Sequence, residues 1–218
     1  MDITRRSFLA SAAAASLISS EPLHAHAQEA APATPDEALQ MLMDGNKRFD
    51  ANNLTSIAHD LKLLREHNVD KQEPFAAVLS CSDSRVPVEL VFDQTIGHIF
   101  VARVAGNIIN AEIIGSLEYG AAVLGIKVLI VMGHSGCGAV KAAIAKTDVP
   151  GQIASLYPHL EAAVETGSGL VDTIKKNAKI QASLLEKTST VLSPMVKQGK
   201  LKICAAYYDV GTGQVTIL

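Results

Sequence analysis

Residues 126–132, Ile-Lys-Val-Leu-Ile-Val-Met, constrain the fold more than any other stretch of the chain. The run is rich in β-branched side chains and shows no alternation of apolar and polar positions. A strand with that pattern must be covered on both faces, as in a parallel sheet lying between helix layers. Further apolar runs over residues 75–80, 98–103 and 201–207 read as strands, with a last short one over 214–218. Helical periodicity falls between them, over residues 110–124, 138–146, 152–165 and 169–192, and a helical turn lies within 86–92. Ahead of the first strand, Thr34-Pro35-Asp36-Glu37 has the form of a helix start: a Thr cap, Pro at the first helical position and Glu three residues after the cap. Leu39, Leu42 and Met43 continue that helix to about residue 49, and a second is expected over 56–67. Both precede the first strand, so neither can be a crossover within the sheet. The fold class expected is α/β: a mainly parallel central sheet of four to five strands flanked by helices, with an N-terminal helical arm.

Of 218 residues, 48% are hydrophobic and 19% charged, which suits a single globular domain with a substantial core. A formal net charge of −3 offers no basic face for nucleic acid, and no such partner is expected. Residues 1–27 stand apart. Arg5-Arg6-Ser7-Phe8-Leu9 leads into an alanine-rich apolar run ending near Ile18, and Ala25-His26-Ala27 has the small-x-small form of a cleavage site. This is the pattern of a twin-arginine signal peptide, an address rather than structure. Its apolar run falls short of the roughly 20 residues that span a bilayer. The expected organisation is a signal peptide over 1–27, a flexible lead-in over 28–34 and one catalytic domain over 35–218. The protein would be periplasmic or exported, with no stable membrane insertion after cleavage.

Two of the expected strands run into short turns that carry reactive groups: Cys81-Ser82-Asp83-Ser84-Arg85 and His134-Ser135-Gly136-Cys137-Gly138. Two thiols and an imidazole match the donor set of a catalytic zinc site, which keeps a fourth position for water or substrate. Strand carboxyl ends are also where open α/β sheets bind ligands. In an exported protein Cys81 and Cys137 could instead form a disulfide. Their placement in glycine- and serine-rich turns beside a His and an Asp favours the metal. Asp83 could bind zinc directly and close the site, or pair with Arg85 and accept a hydrogen bond from a zinc-bound hydroxide. The planar fork of Arg85 favours the second arrangement. A nucleophilic Cys81 in a phosphate-binding loop is disfavoured, because Asp83 would repel the anion. Gly133, Gly136 and Gly138 permit a tight turn close to the metal. Cys204, inside an expected strand, reads as an inert core thiol, and His98 as a solvated residue rather than a proton relay.

These motifs, with Arg103-Val104-Ala105-Gly106-Asn107 between them, strongly resemble those of the β-class carbonic anhydrases, and the resemblance runs from about residue 35 to the C-terminus. It implies one Zn²⁺ per chain on Cys81, His134 and Cys137, with Asp83 and Arg85 as the catalytic dyad. By the same resemblance Gln72 would hydrogen-bond substrate, Phe100 and Tyr119 would form an apolar pocket wall completed across a dimer interface, and Gly138 would border the substrate. Members regulated by bicarbonate at a separate site use a tryptophan there; this chain has none, which points to the subtype with an always-open zinc site. A homodimer or an assembly of dimers is implied, with the helices before residue 68 as its arm. The activity implied is reversible hydration of CO₂ to bicarbonate and a proton, by attack of zinc-bound hydroxide. Hydrolysis of a CO₂ analogue such as CS₂ on the same scaffold, and non-catalytic zinc binding, are the alternatives.

Overall fold

The apolar run at the centre of the sequence is a doubly covered strand: Val128–His134 is buried at every position inside a five-stranded sheet. The computed structural model describes residues 31–55 and 69–218. The expected signal peptide and the helix expected over 56–67 lie outside the described residues. The strands are β1 (Ala76–Ser80), β2 (Ile99–Arg103), β3 (Val128–His134), β4 (Lys202–Tyr208) and β5 (Val215–Ile217). They are ordered β2-β1-β3-β4-β5; the first four are parallel, and β5 runs antiparallel to β4.

Successive strand residues point to opposite faces, and here both faces are packed. On one, Val78, Val128, Ile130, Met132 and Tyr208 meet Ala38 and Leu42; on the other, Ala77, Leu79, Leu129, Val131 and Ala205 meet Leu117, Ala121, Ala178 and Leu185. At about 1.5–3 kcal/mol for each fully buried large aliphatic side chain, this burial dominates the stability of both layers. Alternation is absent because neither face meets water.

The helices are α1 (Pro35–Asp50), α2 (Val88–Val91), α3 (Ala111–Ala122), α4 (Gly138–Ile144), α5 (Tyr157–Thr166), α6 (Leu170–Thr188) and α7 (Leu192–Lys197), with 3₁₀ turns at Ala105–Asn107 and Gly151–Leu156. The start of α1 is as its sequence predicts. Thr34 Oγ1 accepts from the Glu37 N–H and Glu37 Oε2 accepts from the Thr34 N–H, each at 3.2 Å, which completes a capping box. This helix folds back on its own sheet through Ala38 and Leu42. It approaches so closely at Gly45 that a Cβ there would lie 1.8 Å from the Phe92 carbonyl oxygen.

Two expected helices are divided. The one over 152–165 opens as a 3₁₀ turn and becomes α-helical at Tyr157, where Pro158 suits the first turn because it has no N–H to satisfy. The one over 169–192 stops at Thr188. Ser189 Oγ then accepts from the Val191 and Leu192 N–H groups at 3.2 and 2.9 Å, starting α7 as a cap would.

Strand β1 pairs with β2 on one side and β3 on the other, so the chain reverses its direction of travel across the sheet between them. This is a topological switch point, with the carboxyl ends of β1 and β3 side by side. Ser80 and Met132 are register partners. Cys81 follows the first, and His134 is the last residue of the second strand.

Candidate metal centre

The sulfurs of Cys81 and Cys137 and a ring nitrogen of His134 lie within 4.8 Å of one another, and all three residues are buried. The thiols are free, so the disulfide reading is not what the structure shows. His134 Nδ1 lies 3.0 Å from the Ser135 carbonyl oxygen. A carbonyl can only accept, so Nδ1 carries the proton and Nε2 presents its lone pair to the sulfurs. His134 Nε2 is buried and has no hydrogen-bond partner. An orphaned acceptor beside two sulfurs is a defect that a metal ion would repair. The sulfurs hold each other in opposite states. The Cys81 thiol is pushed down, first by a hydrogen bond from Cys137 and, against burial, by the Gly106 and Asp83 N–H groups. Cys137 is pushed up by the same pairing and by burial. Two adjacent buried thiolates repel, and a divalent cation between them removes that repulsion. Two sulfurs and one imidazole nitrogen fit zinc.

Asp83 faces this cluster without joining it. Arg85 Nε donates to Oδ1 at 2.9 Å and Nη2 to Oδ2 at 2.8 Å, while the Arg85 N–H also donates to Oδ1 at 3.0 Å. The guanidinium holds the Asp83 carboxyl well below the usual carboxylate range. Oδ2 lies 3.8 Å from His134 Nε2. Of the two arrangements open from the sequence, the Arg-paired one is found. Gly136, at φ +68°, has its vacant Cβ position only 3.9 Å from the Arg85 guanidinium nitrogens, so the turn passes beside the dyad.

A second arginine grips the same loop. Arg103 Nε donates to the Cys81 carbonyl at 3.0 Å and Nη2 to the Asp83 carbonyl at 2.6 Å. Its place in a motif was visible in the sequence, but this clamp depends on the register that sets Arg103 opposite Ser80.

The remaining candidates divide. Gly138 opens α4 directly after Cys137, exposed, with no atom within 4 Å of its Cβ position. Phe100 and Tyr119 come together at 6.3 Å between ring centroids, and Tyr119 is 47% exposed. Phe100 is the register partner of Ala77, near the start of β1. Gln72 is exposed and precedes the same end of that strand. The five residues of β1, at about 3.3 Å each, put roughly 17 Å between that end and the metal loop. These three side chains therefore sit toward the opposite end of β1 from Cys81 of their own chain. His98 differs from its expectation. It is half-buried, edge-on to Phe75 at 5.8 Å between centroids, with Nδ1 3.3 Å from Gln94 Oε1, so its ring is part of the packing at the entry to β2. Burial pushes the Cys204 thiol up to about 11, in keeping with an inert sulfur.

The family model described as carbonic anhydrase matches residues 76–215, from the first strand to the last. Carbonic anhydrase 2 of Mycobacterium tuberculosis is 31% identical over 196 residues, covering 84% of this chain and 92% of that protein. The carbonic anhydrase of Pseudomonas aeruginosa is 31% identical over 194 residues, covering 81% and 86%. Among solved structures, the β-carbonic anhydrase CcaA superposes with a TM-score of 0.64 at 27% identity, covering 82% of this chain and 86% of that one. A β-carbonic anhydrase of Sordaria macrospora reaches 0.67 at 19% identity, covering 83% and 96%, a likeness of fold. Sequence, sheet order and the placement of the three donors agree, and the chain belongs to the β-class carbonic anhydrases.

Proposed function

We propose that this chain catalyses the reversible hydration of CO₂ to bicarbonate and a proton, with one zinc ion held by Cys81, His134 and Cys137 and with Asp83 and Arg85 as its catalytic dyad. The observation that carries the reading is the fork of Arg85 on Asp83, which engages both carboxylate oxygens and leaves three donors, not four, around the cluster. A zinc ion on three protein donors keeps one position for water and lowers the pKa of that water from 15.7 to about 7. The protein groups do the rest. Asp83, kept ionised by Arg85, can only accept, so it takes a hydrogen bond from the attacking oxygen and turns that oxygen's lone pair toward CO₂. The Ser135 carbonyl fixes the His134 tautomer, and Arg103 fixes the loop that carries Asp83. The proton released goes to buffer. A closed, four-donor site would be needed for a purely structural zinc protein, and the Asp83–Arg85 pairing argues against one.

Stopped-flow CO₂ hydration with a pH dye, alongside metal analysis of the mature protein, tests this reading. Zinc at one per chain with no hydration overturns it; faster turnover of CS₂ than of CO₂ reassigns the substrate. Gln72, Phe100 and Tyr119 are proposed to wall the site of a second copy in a homodimer or an assembly of dimers. Their distance from Cys81 of their own chain and the exposure of Tyr119 on α3 and of Val123 just after it support this. A monomeric mass at assay concentration with full turnover would refute it. Residues 1–27 are proposed as a cleaved twin-arginine signal for export to the periplasm, with 28–34 as lead-in and 35–218 as the catalytic domain. Among the described residues no helix is long and apolar enough to cross a membrane. Sequencing the N-terminus of the secreted protein checks the cleavage after Ala27.

A further inference from the structure

Helix α6 buries two amide side chains, Asn177 and Gln181, each 1% exposed and four residues apart on one face. Leucine would fill that space without needing partners, so the amides are accounted for only by their hydrogen bonds. Three of the four run to the loop after β2 or toward it, and the fourth goes to α5. Asn177 Nδ2 donates to the Gly106 carbonyl at 2.8 Å. Gln181 Nε2 donates to Asn177 Oδ1 at 3.1 Å and to the His159 carbonyl at 2.9 Å, while Gln181 Oε1 accepts from the Ile109 N–H at 2.9 Å. Gly106, at φ +76°, is thus gripped on both sides, because its own N–H donates to Cys81 Sγ at 3.4 Å. The same helix also touches the other ligand strand. A Cβ on Gly133, the neighbour of His134, would lie 2.8 Å from Ile174 Cγ2.

We propose that Asn177 and Gln181 are positioning residues of the metal site, holding the Gly106 turn so that its N–H stays on the Cys81 sulfur. The inference rests on the zinc reading of the cluster. A hydrogen bond to a ligating thiolate draws charge from the sulfur and fixes its direction, and loss of such outer contacts typically weakens metal binding about 10–100-fold. Residues 106–109 lie beyond the sheet ladder, so this pair of amides does for the turn what a neighbouring strand does for β1. Gln181 acts through Asn177 and Ile109, and Asn177 acts through Gly106.

The test uses the full-length zinc protein and three shape-matched variants. Asn177→Leu and Gln181→Met remove the chain of bonds. Thr173→Val removes a buried hydroxyl from the same face of α6 whose bond goes to the Gly169 carbonyl and not to the loop. Zinc affinity is measured by competition with a chelator. The Co²⁺-substituted proteins report sulfur-to-metal charge transfer by absorption. Asn177→Leu is expected to lose about 10–100-fold in zinc affinity and to shift the charge-transfer band. Gln181→Met should do the same to a smaller extent, and Thr173→Val should leave both unchanged. Wild-type affinity and an unshifted band in folded Asn177→Leu overturn the proposal, as does an equal loss in Thr173→Val. If Asn177→Leu does not fold, Gln181→Met decides by the same two readouts. A wild-type protein that binds no zinc would instead overturn the reading of the cluster itself.

Discussion

The cluster of Cys81, His134 and Cys137 lies at the carboxyl ends of two inner strands of the sheet, whereas the patch of Phe100, on the edge strand β2, and Tyr119, on α3, lies toward the other end of β1 and is open to solvent. Each cluster residue is buried, and two donors are oriented by bonds from their own chain: the Ser135 carbonyl on His134 and the Gly106 N–H on Cys81. The patch is open. Tyr119 is 47% exposed, its ring meets Phe100, and Gln72 lies exposed near the same end of β1. The electrostatic part of the reaction needs donors fixed to a few tenths of an ångström, which one rigid sheet with tight turns provides. An apolar enclosure for a small uncharged molecule needs only a second surface, and a second copy can bring one.

The widest gap between the two regions is expected when the cluster itself is altered. Cys81→Ser keeps the size of the side chain but replaces a soft donor by a hard one. It should lose zinc and reduce CO₂ hydration to the solvent background, as read by metal analysis and stopped flow. A variant that keeps both would break the assignment of ligands. Asp83→Asn should separate binding from turnover. Zinc should stay at one per chain, because Arg85 engages both oxygens of Asp83, while kcat falls by about 10²–10⁴-fold, because the amide breaks the Arg85 fork and no longer offers an obligate acceptor. Full turnover in that variant would end the orienting role.

Much of the cluster was legible in the sequence because it is local. Cys81 follows an apolar run, His134 ends another, and each carries its companions within a few residues. The fold class was legible for the same reason, since the unalternated run at 126–132 admits few surroundings. What stayed hidden depends on residues far apart in the chain. Arg103 reaches the Cys81 carbonyl across 22 residues, and Asn177 reaches Gly106 across 71, both through packing that no short-range pattern records. The break at Ser189 was hidden differently. Leu185 and Leu192 are both buried in the same core, so helical periodicity continues across a hydroxyl that in fact starts a new helix. The sequence marked Gln72, Phe100 and Tyr119 only through family likeness, and nothing in their spacing told that they would lie away from Cys81 of their own chain.

A smaller effect is expected at the patch. Tyr119→Ala should keep zinc at one per chain and lower kcat/KM by about tenfold, the loss expected when roughly 1.4 kcal/mol of aromatic contact is removed from a pocket wall. If the wall belongs to a second copy, the same variant should also shift the monomer–dimer equilibrium in sedimentation. Unchanged kcat/KM and mass would leave the patch without a part in the site.

The smallest effect is expected at Cys204, which belongs to neither region and serves as an internal control on what makes a thiol reactive here. Partial burial raises its pKa from 9.0 to about 11, whereas Cys81, the more deeply buried of the two, is pushed down by its partners. At pH 8 Cys204 should therefore carry about a hundredfold less thiolate than an ordinary cysteine and label correspondingly slowly with an alkylating reagent. The sign fixes the direction with pH. Between about 9 and 11 the unfolded chain gives up this proton before the native one does, so Cys204 lowers stability as pH rises through that window and has no such effect below it. Mass spectrometry of the zinc-loaded protein after alkylation at pH 8 should find Cys204 unlabelled and hydration unchanged. Rapid labelling there with loss of turnover would show that burial does not hold this thiol protonated, and that a thiol of this chain can react without the company of a second sulfur and an imidazole.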